Sequence, residues 1–382
     1  MNAAIIKRGN RYAVRLDLGR GPDGKRIFKY HSGYATKRAA QQARTELLGA
    51  LDRNSYVPPD KTTVADYLRG QWLPVVQTRL RPGTWVEYGR KVETHLIPAI
   101  GQVPLQQLTT AMLNALYQQL LQRGVGPRTV QYVHATIRKA LNDAVRWGLL
   151  VRNPANHAAA PRPHRTELRT WTADELHSFL ESVRSDRLHA AWQLAALTGM
   201  RRGEVLGLRW ADLDLEAGWL SVRQTLVVVD NQPRISEPKT ARGRRRIALD
   251  AETVAALRAH HTAQAAERLA AGPNWPNNGL VFTRPDGAPL HPEYVRRQFD
   301  RLIQRAGLPR VHLHDLRHTH ATLALQAGVH PKVISERLGH ATVAMTLDIY
   351  SHAIPALQQD AAATVAALIT GAAVIEHGDR SR

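Results

Sequence analysis

Histidines and arginines are concentrated between residues 312 and 352, in the sequence HLHDLRHTHATLALQAGVHPKVISERLGHATVAMTLDIYSH. Such residues, closely spaced, occur in metal centres, on polar helix surfaces, or in sites that bind a phosphate and transfer it. His314, Arg317 and His318 share one helix face, because positions three and four apart are neighbours. His at i and i+4 also suits a metal, but the glutamate of zinc-protease helices is absent and Arg317 would repel a cation. His312 and His320 fall on other faces and are predicted surface residues. No metal site is therefore predicted, and polar residues on helix surfaces and phosphate chemistry remain as the two interpretations of this segment.

A second candidate lies in TGMRRGEVLGLRW, residues 198–210. A helix that begins near Arg201 places Arg201, Glu204, Val205 and Leu208 on one face. An arginine on a buried face needs a partner, because an unpaired buried charge is very costly, and Glu204 can supply it. The pair is either a structural ion pair or an arginine held rigid and directed at an anion. The spacing alone does not separate these two interpretations.

The segment LGHATVAMTLDIYSH contributes His340 and Tyr350. Gly339 is predicted to end a helix in the αL conformation, which leaves His340 at the edge of a loop. Tyr350 shares a helical face with Val343 and Leu347, so spacing alone predicts a tyrosine of the core.

Lys239 lies in PKTARGRRRIAL, between Pro238 and Gly243. This pattern predicts the tip of a β-hairpin, and a lysine there among basic residues indicates a phosphate or groove contact. The arginines behind the tip are further predicted DNA contacts: Arg244, Arg245 and Arg246. A solvated basic loop is the alternative.

The composition indicates a polyanionic partner. The 382 residues include 52 Lys and Arg against 32 Asp and Glu, a formal charge of +20, which solubility alone explains poorly. The alternative is a basic surface with no specific partner. The absence of cysteine excludes disulfides, thiol catalysis and zinc–thiolate sites, and is consistent with a reducing cytoplasm. The charged N-terminus is unlike a signal peptide, and the apolar stretch at 361–375 is shorter than the ~18–20 residues that cross a bilayer. No membrane role is expected.

Residues 1–55 alternate polar and apolar side chains around the turn GRGPDGK, which predicts a small hairpin sheet. Thr36 is the predicted cap of the helix that follows. This segment has twelve Lys and Arg against four Asp and Glu, which favours DNA binding. The predicted contacts are Arg11, Lys25 and Arg26. Its aromatic residues, Tyr12, Phe28 and Tyr30, either lie in a DNA groove or form the core of a plain mini-domain.

The remaining chain is predominantly helical by periodicity. Residues 62–156 predict four or five helices, and the Pro-, Ala- and Arg-rich stretch 157–170 predicts an extended connector. Thr172 and Glu175 then form a capping-box pattern that begins a helix. The predicted fold is mainly α with small β-sheets (α+β) in three parts: an N-terminal sheet-plus-helix module, a helical domain, and a mainly helical domain with a small β-hairpin sheet.

The motifs of the last part occur together in one known family. TGMRRGEVLGLRW, HDLRHTHAT, LGH and TLDIYSH resemble, in content and order, the motifs of the tyrosine recombinases, the phage-type integrases. By this resemblance residues 171–358 are the catalytic domain. More weakly, 60–156 resembles the family's core-site DNA-binding domain and 1–55 its arm-type DNA-binding module. Residues 157–170 are then the interdomain linker, and 359–382 a C-terminal tail that docks on a neighbouring subunit or packs on its own domain.

The resemblance implies a role for each candidate residue. Arg201 and Arg317 match the arginines that hold the scissile phosphate, and Glu204 matches the acidic residue that supports the first of them. Lys239 matches the lysine that protonates the departing 5′ oxygen. His314 is the implied proton acceptor, His340 stabilises the transition state, and Tyr350 is the nucleophile. Ala248 departs from the pattern, since it stands where the family frequently has proline.

The resemblance also implies an activity and its partners. The chain would be a site-specific DNA recombinase, the integrase of a mobile element such as a phage, that works through a covalent 3′-phosphotyrosine. Integration and excision would proceed without metal, cofactor or ATP. The implied partners are double-stranded DNA attachment sites, further copies of the chain in a tetramer, a host DNA-bending factor and an excision factor. The implied location is the nucleoid in the bacterial cytoplasm.

Three other functions compete with this one. The first is a DNA-binding protein without catalysis, which the full residue set disfavours. The second is a topoisomerase of the type IB kind, which shares the chemistry and differs only in an assay with two recombination sites. The third is a metal-dependent nuclease, which EDTA would inhibit.

Overall fold

The computed structural model describes residues 2–20, 22–53, 56–163, 169–237 and 243–340, together with 342, 343, 347, 366, 369 and 370. The chain divides into two compact units, Met1–Arg165 and Thr166–Arg382. Helices predominate, and the sheets are small and antiparallel. The predicted fold class, mainly α with small β-sheets, is confirmed. None of the helices in the described ranges is long and apolar enough to cross a membrane.

The N-terminal unit begins with a three-stranded sheet and one helix. The strands are β1 (Asn2–Arg8), β2 (Arg11–Arg20) and β3 (Arg26–Tyr34), paired in that order, and the helix is α1 (Lys37–Asp52). Val14 and Leu16 alternate with polar residues along β2 and pack against α1, because side chains two apart share a sheet face. The Thr36 hydroxyl accepts a hydrogen bond of 3.1 Å from the Ala39 N–H, which confirms the predicted cap.

The rest of the N-terminal unit is helical around a second core. Its α-helices are α2 (Val64–Asp66), α3 (Leu73–Gln77), α4 (Pro82–Lys91), α5 (Ile97–Ile100), α6 (Thr110–Gln122) and α7 (Pro127–Arg146). Wider π-helical turns, Tyr67–Trp72 and Val92–Leu96, continue the helix between α2 and α3 and between α4 and α5. The buried Trp72 indole N–H donates a hydrogen bond of 3.0 Å to the Asp143 carboxylate. The polar group of the largest side chain in this core therefore has a partner.

The C-terminal unit has seven α-helices and five strands within the described ranges. The helices are α8 (Ala173–Ser182), α9 (His189–Thr198), α10 (Arg202–Leu206), α11 (Ala251–Ala271), α12 (Pro292–Arg305), α13 (Asp315–Gln326) and α14 (Pro331–Leu338). The strands are β4 (Leu213–Asp214), β5 (Trp219–Val222), β6 (Thr225–Val229), β7 (Gln232–Ser236) and β8 (Arg245–Ala248). The core centres on Trp171, Phe179, Trp192 and Phe299, whose rings lie 5.1–6.0 Å apart. The predicted capping box of Thr172 and Glu175 is present at the start of α8.

The predicted hairpin at 238–243 is corrected by the strand pairing. β7 pairs with β6, whereas β8 pairs with β5 in a different sheet. The hairpin turn lies earlier, at Asp230 and Asn231, whose φ angles of 51° and 58° are those of a two-residue type I′ turn. Lys239 lies outside the described residues, so its predicted position at a hairpin tip is not described by the structure.

Candidate active site

Arg201 and Glu204 form the cap of a short helix. Arg201 is the N-cap of α10, and its backbone N–H donates to Glu204 Oε2 at 2.9 Å while its Nη1 donates to Oε1 at 2.8 Å. The carboxylate is 4% exposed and the arginine side chain 41% exposed. Burial acts to raise the pKa of Glu204, but the hydrogen bonds and charge of Arg245, with the charge of Arg201, outweigh it and lower that pKa. Glu204 therefore stays ionised and holds an arginine whose other side is open to solvent.

Glycines allow this cap to pack closely on its neighbours. Gly199 ends α9 in the αL conformation, with φ of 63°. A Cβ atom at this position would lie 2.4 Å from Leu338 Cδ2 and 2.9 Å from the His320 ring. A Cβ atom at Gly203 would lie 2.6 Å from the Leu226 carbonyl oxygen. The glycines of TGMRRGE thus bring α10 against β6 and the preceding turn against α14.

Arg317 lies inside the protein at the same place. It projects from α13 with 3% of its surface exposed. Its Nη1 donates to the Gly199 carbonyl at 2.8 Å and its Nη2 to the Leu338 carbonyl at 2.7 Å. The arginine of HDLRH is therefore fixed by the backbone of the two other motifs, TGMRR and LGH.

The end of α14 is the point at which three arginines meet. The carbonyl oxygens of residues 337, 338 and 339, here called the carbonyl cluster, accept hydrogen bonds from three different elements. The pairs are Arg245 Nε to Arg337 at 2.6 Å, Arg317 Nη2 to Leu338 at 2.7 Å, and Arg201 Nη2 to Gly339 at 3.3 Å. These are carbonyls that a helix end leaves without helical partners, and they carry the negative end of its dipole. The cluster is thus suited to binding guanidinium groups.

The histidines of the motifs surround these arginines in their neutral form. His340 follows the αL residue Gly339, as predicted, and is 6% exposed. Burial, then Arg317 and Arg201, lower the pKa of His340 to about 4. His314 is exposed to solvent, but burial of part of the residue, then His318 and Arg317, lower its pKa to about 4. Both are neutral near pH 7 and can accept a proton.

Of the other two histidines of HDLRHTH, His318 lies beside His314 as predicted, whereas His320 differs from its predicted setting. His318 lies edge-on to His314, with ring centroids 5.3 Å apart, and burial lowers its pKa. His320 was expected at the surface, but its ring packs beside Gly199 and Leu338, its Nε2 is buried, and burial lowers its pKa to about 4. The missing Cβ atom of Gly199 leaves room for this ring, which helical spacing alone does not indicate. His312 is exposed, as predicted.

The three arginines after Lys239 alternate between exposed and buried positions at the start of β8. Arg244 contacts Glu237 at 3.1 Å and is 61% exposed, and Arg246 stacks over the Trp219 ring at 4.9 Å. They line a basic cleft of about 640 Å³ with Ser221, Val222, Arg223 and Arg245. Arg245, a predicted DNA contact, has only 7% of its side chain exposed, and its guanidinium binds Glu204. Side chains two positions apart in a strand lie on the same face, and Arg245 shares the inward face with the buried Ile247. This position explains the burial of Arg245.

The basic residues of the N-terminal sheet lie on its exposed parts. Arg11, Lys25 and Arg26 are exposed, and Arg26 contacts Asp17 at 3.3 Å. Of the aromatic residues, only Tyr12 takes the predicted core setting, and a groove contact of Phe28 and Tyr30 stays a prediction. Tyr12 packs against the small core, whereas Phe28 and Tyr30 lie under the guanidinium groups of Arg15 and Arg8, at 4.8 and 4.9 Å.

The described site lacks two of the predicted residues and adds others. Lys239 and Tyr350 lie outside the described residues. The sequence did not predict a site role for the carbonyl cluster, for Arg337 or His318, or for Arg245 as an inward-facing residue. Of these, only the inward direction of Arg245 has a sequence signal, which is the alternation of RRRIA. Within the described ranges, no three His, Cys, Asp or Glu side chains form a group that could hold a metal ion.

Comparison with known proteins places the whole chain beside DNA integrases. Residues 169–356 match the model of the phage integrase family, 65–121 that of the N-terminal SAM-like domain of phage integrases, and 4–51 that of an arm DNA-binding domain. A protein named tyrosine recombinase XerC-like, from Caldanaerobacter subterraneus subsp. tengcongensis, is 29% identical over 94% of this chain and 97% of its own. An integrase of Streptomyces ambofaciens is 29% identical over 92% of each chain.

Solved structures share the fold. The integrase of transposon Tn1549, bound to a circular intermediate DNA, aligns with a TM-score of 0.66 and 22% identity over 76% of this chain and 95% of its own. A lambda integrase tetramer bound to a Holliday junction aligns with a TM-score of 0.57 and 18% identity over 90% of this chain and 93% of its own.

Proposed function

This chain belongs to the phage integrase family of tyrosine recombinases, enzymes that cleave and rejoin DNA strands, and we propose that it is the site-specific recombinase of a mobile element. One observation carries the proposal: Arg201 and Arg317, from different helices, bind adjacent carbonyls immediately before His340. The full set of motif residues favours a catalyst over a DNA-binding protein without activity.

The two arginines are the proposed phosphate-binding groups. A phosphodiester is anionic, and attack on it builds further charge on its non-bridging oxygens, which guanidinium groups stabilise without a metal. Arg201 is 41% exposed and is held from behind by Glu204. Arg317 is fixed by two backbone carbonyls. Because the protein fixes both groups in advance, little reorganisation is needed when charge develops.

Tyr350 is the proposed nucleophile. A phenol is a weak nucleophile near pH 7, since its ordinary pKa is about 10, so a base must take its proton as it attacks. His314 is neutral at that pH and is the proposed acceptor. The phenolic oxygen forms a bond to phosphorus, the bond to the 5′ oxygen breaks, and Lys239 protonates that oxygen. His340 stabilises the transition state through a hydrogen bond to phosphate.

The product is a 3′-phosphotyrosine, which conserves the energy of the broken bond. A 5′ hydroxyl from the same or another strand can attack it in the reverse sequence of steps, so rejoining requires no ATP. Attack by the same strand gives relaxation of DNA, and attack by a different strand gives recombination. We assign this chain to recombination because its additional N-terminal module matches an arm DNA-binding domain.

The remaining parts of the chain are proposed to bind the attachment sites. Residues 1–55 would bind arm-type DNA, with contacts from Arg11, Lys25 and Arg26. Residues 60–156 would bind the core site, 157–170 would link it to the catalytic domain at 171–358, and 359–382 would form a tail. Arg244 and Arg246 would contact DNA phosphates from the cleft beside β8. The active form is proposed to be a homotetramer on two attachment sites, with a host DNA-bending factor and an excision factor, at the nucleoid of a bacterial cell.

The test uses nicked duplexes from the region flanking the gene. These are incubated with the protein in EDTA, and adducts that survive SDS are resolved on a gel. An adduct with the natural chain and none with Tyr350→Phe, at equal DNA binding, supports metal-free transesterification. An adduct that persists with Tyr350→Phe contradicts the nucleophile. DNA binding without any adduct, even with host extract, favours the non-catalytic alternative.

Recombination is separated from topoisomerase activity in a second step. A plasmid with two attachment sites is incubated with the protein and host extract. Exchange between the sites supports the recombinase. Relaxation of supercoils without any exchange favours the topoisomerase.

A further inference from the structure

Arg245 is an arginine of the site whose guanidinium group binds partners within the protein. Its side chain is 7% exposed, and each of its three nitrogen atoms is bound within the protein. Nη1 and Nη2 donate to Glu204 Oε1 and Oε2 at 3.2 and 2.9 Å, and Nε donates to the Arg337 carbonyl at 2.6 Å. Nη1 also reaches the Gly243 carbonyl at 3.3 Å.

Glu204 is shared between this buried arginine and Arg201. Oε1 accepts from Nη1 of both arginines, and Oε2 accepts from Arg245 Nη2 and from the Arg201 backbone N–H. The carboxylate receives four hydrogen bonds, two from each arginine, so its position is fixed from both sides. If Arg245 is removed, Arg201 alone must orient a carboxylate that is 4% exposed.

Arg245 also binds the helix end to which the other two arginines are bound. It contacts the first carbonyl of the carbonyl cluster, whereas Arg317 and Arg201 contact the second and the third. Arg201 is therefore connected to Arg245 by two routes, one through Glu204 and one through the end of α14. His340 is the next residue after this cluster.

We propose that Arg245 is a positioning residue of the strand-cleavage reaction, which sets the pose of the Arg201 guanidinium through Glu204 and through the end of α14. This inference rests on the proposed function. It replaces the predicted DNA contact of Arg245 with an internal one. It also distinguishes Arg245 from its neighbours Arg244 and Arg246, whose side chains are exposed.

The chain offers a matched control in Arg187. This residue also binds one carboxylate with two nitrogen atoms, to Glu267 at 2.6 Å each, and one backbone carbonyl, that of Thr283 at 2.7 Å. Arg187→Gln and Arg245→Gln therefore each remove a two-nitrogen contact with a carboxylate and a contact with a backbone carbonyl, at two places in one unit. Arg245 has one further contact, with the Gly243 carbonyl, and is the more buried of the two, 7% exposed against 32%. A purely structural ion pair would make the two variants alike in the cleavage assay.

The first experiment measures single-turnover adduct formation at saturating nicked DNA. We expect Arg245→Gln to slow adduct formation about 10²-fold, because a small misplacement of a catalytic group has an effect of this size. The DNA affinity should change less than about threefold. Arg187→Gln should leave the rate unchanged and lower only the unfolding midpoint. Arg245→Lys, which keeps a donor and the charge, should recover part of the rate.

A double-mutant cycle then tests whether Arg245 acts through Arg201. In an Arg201→Lys background the effect of Arg245→Gln should fall from about 10²-fold to less than about threefold, because coupled residues are not additive. Equal factors in both backgrounds, or equal slowing by Arg187→Gln, would overturn the proposal. If Arg245→Gln does not fold, the same cycle is made with Arg245→Lys.

A crystal structure of Arg245→Gln provides a result that does not depend on activity. The Arg201 Nη2 atom should leave the Gly339 carbonyl, from which it lies 3.3 Å in the natural chain. An Arg201 side chain that has not moved would refute the positioning role. If the natural chain forms no adduct, the proposed function fails, and this structure still decides whether Arg245 holds Arg201.

Discussion

Arg317 donates a hydrogen bond of 2.8 Å to the carbonyl oxygen of Gly199, and this contact joins two motifs that lie more than a hundred residues apart in the chain. The carbonyl precedes Arg201 by two residues, so the proposed phosphate-binding arginines are connected through three residues of backbone. Their separation is therefore fixed by the fold. Substitutions at either end of this contact should affect both the chemistry and the stability of the C-terminal unit.

Substitution of Arg317 should show this double effect. Arg317→Gln removes the proposed phosphate-binding charge and should slow adduct formation about 10³-fold or more, as for arginines in other phosphoryl transfers. It also leaves the Gly199 and Leu338 carbonyls without this donor, at a cost of about 1–3 kcal/mol for each buried group. Single-turnover rates and urea unfolding, followed by tryptophan fluorescence, measure the two effects. A stable variant that cleaves at the natural rate would exclude Arg317 from the chemistry.

Gly199 should tolerate no side chain. Gly199→Ala places a Cβ atom 2.4 Å from Leu338 Cδ2 in an αL residue, and should lower the free energy of unfolding by about 3 kcal/mol, since backbone strain and overpacking add. Gly307→Ala is the control, because Gly307 has a similar φ of 67° with nothing within 4 Å of the added atom. It should cost about 1 kcal/mol. Equal losses in urea unfolding would show that the close approach to Leu338 is relieved elsewhere.

Stability should decrease as the pH falls from about 6.5 to about 4. His314, His320 and His340 have pKa values lowered to about 4 in the folded chain, against about 6.5 when unfolded. Between these values the unfolded chain binds more protons than the folded one, so the free energy of unfolding falls with falling pH. The stabilisation is complete above about pH 6.5 and is lost by about pH 4.

His320 provides the single-site test of this pH dependence. His320→Gln should reduce the slope of the free energy of unfolding against pH by up to about 1.4 kcal/mol per pH unit, equivalent to one proton. Urea unfolding at several pH values between 4 and 7.5 measures that slope for both chains. A slope unchanged by the substitution would mean that His320 titrates normally despite its buried Nε2.

The parts of the site that could be predicted from the sequence are local ones. The pairing of Arg201 with Glu204, the αL residue Gly339 and the caps at Thr36 and Thr172 each depend on residues at most three positions apart, so periodicity and cap chemistry identify them. The family motifs added roles to these positions, because spacing alone did not separate a structural Arg201–Glu204 ion pair from an arginine directed at an anion.

The parts that were missed depend on contacts between distant segments. The alternation of polar and apolar residues in β8 and β7 does not indicate that β8 pairs with β5 instead of β7. The hairpin was therefore predicted at 238–243 and not at Asp230 and Asn231. The inward direction of Arg245 follows once Ile247 is known to be core, but its partners Glu204 and Arg337 are fixed by tertiary packing. Backbone carbonyls carry no sequence signal at all, so the carbonyl cluster could not be predicted.

The two exposed arginines on either side of Arg245 should contribute to DNA binding through charge alone. Arg244 and Arg246 line a basic cleft, and a phosphate contact releases condensed counterions, so each contact adds about one to the dependence of log affinity on log salt. Arg246→Ala should therefore weaken binding to specific and random duplexes alike and reduce that slope by about one. Arg184→Ala is the control, since Arg184 follows the end of α8, is 71% exposed and contacts only Glu181 among the ion pairs of the described chain. Fluorescence anisotropy measures the slopes between 50 and 300 mM salt, which is roughly the range over which such affinities change by orders of magnitude.

An equal change for both variants would mean that net charge, and not the cleft beside β8, determines DNA binding. A loss of affinity confined to one DNA sequence would instead make Arg246 a base contact.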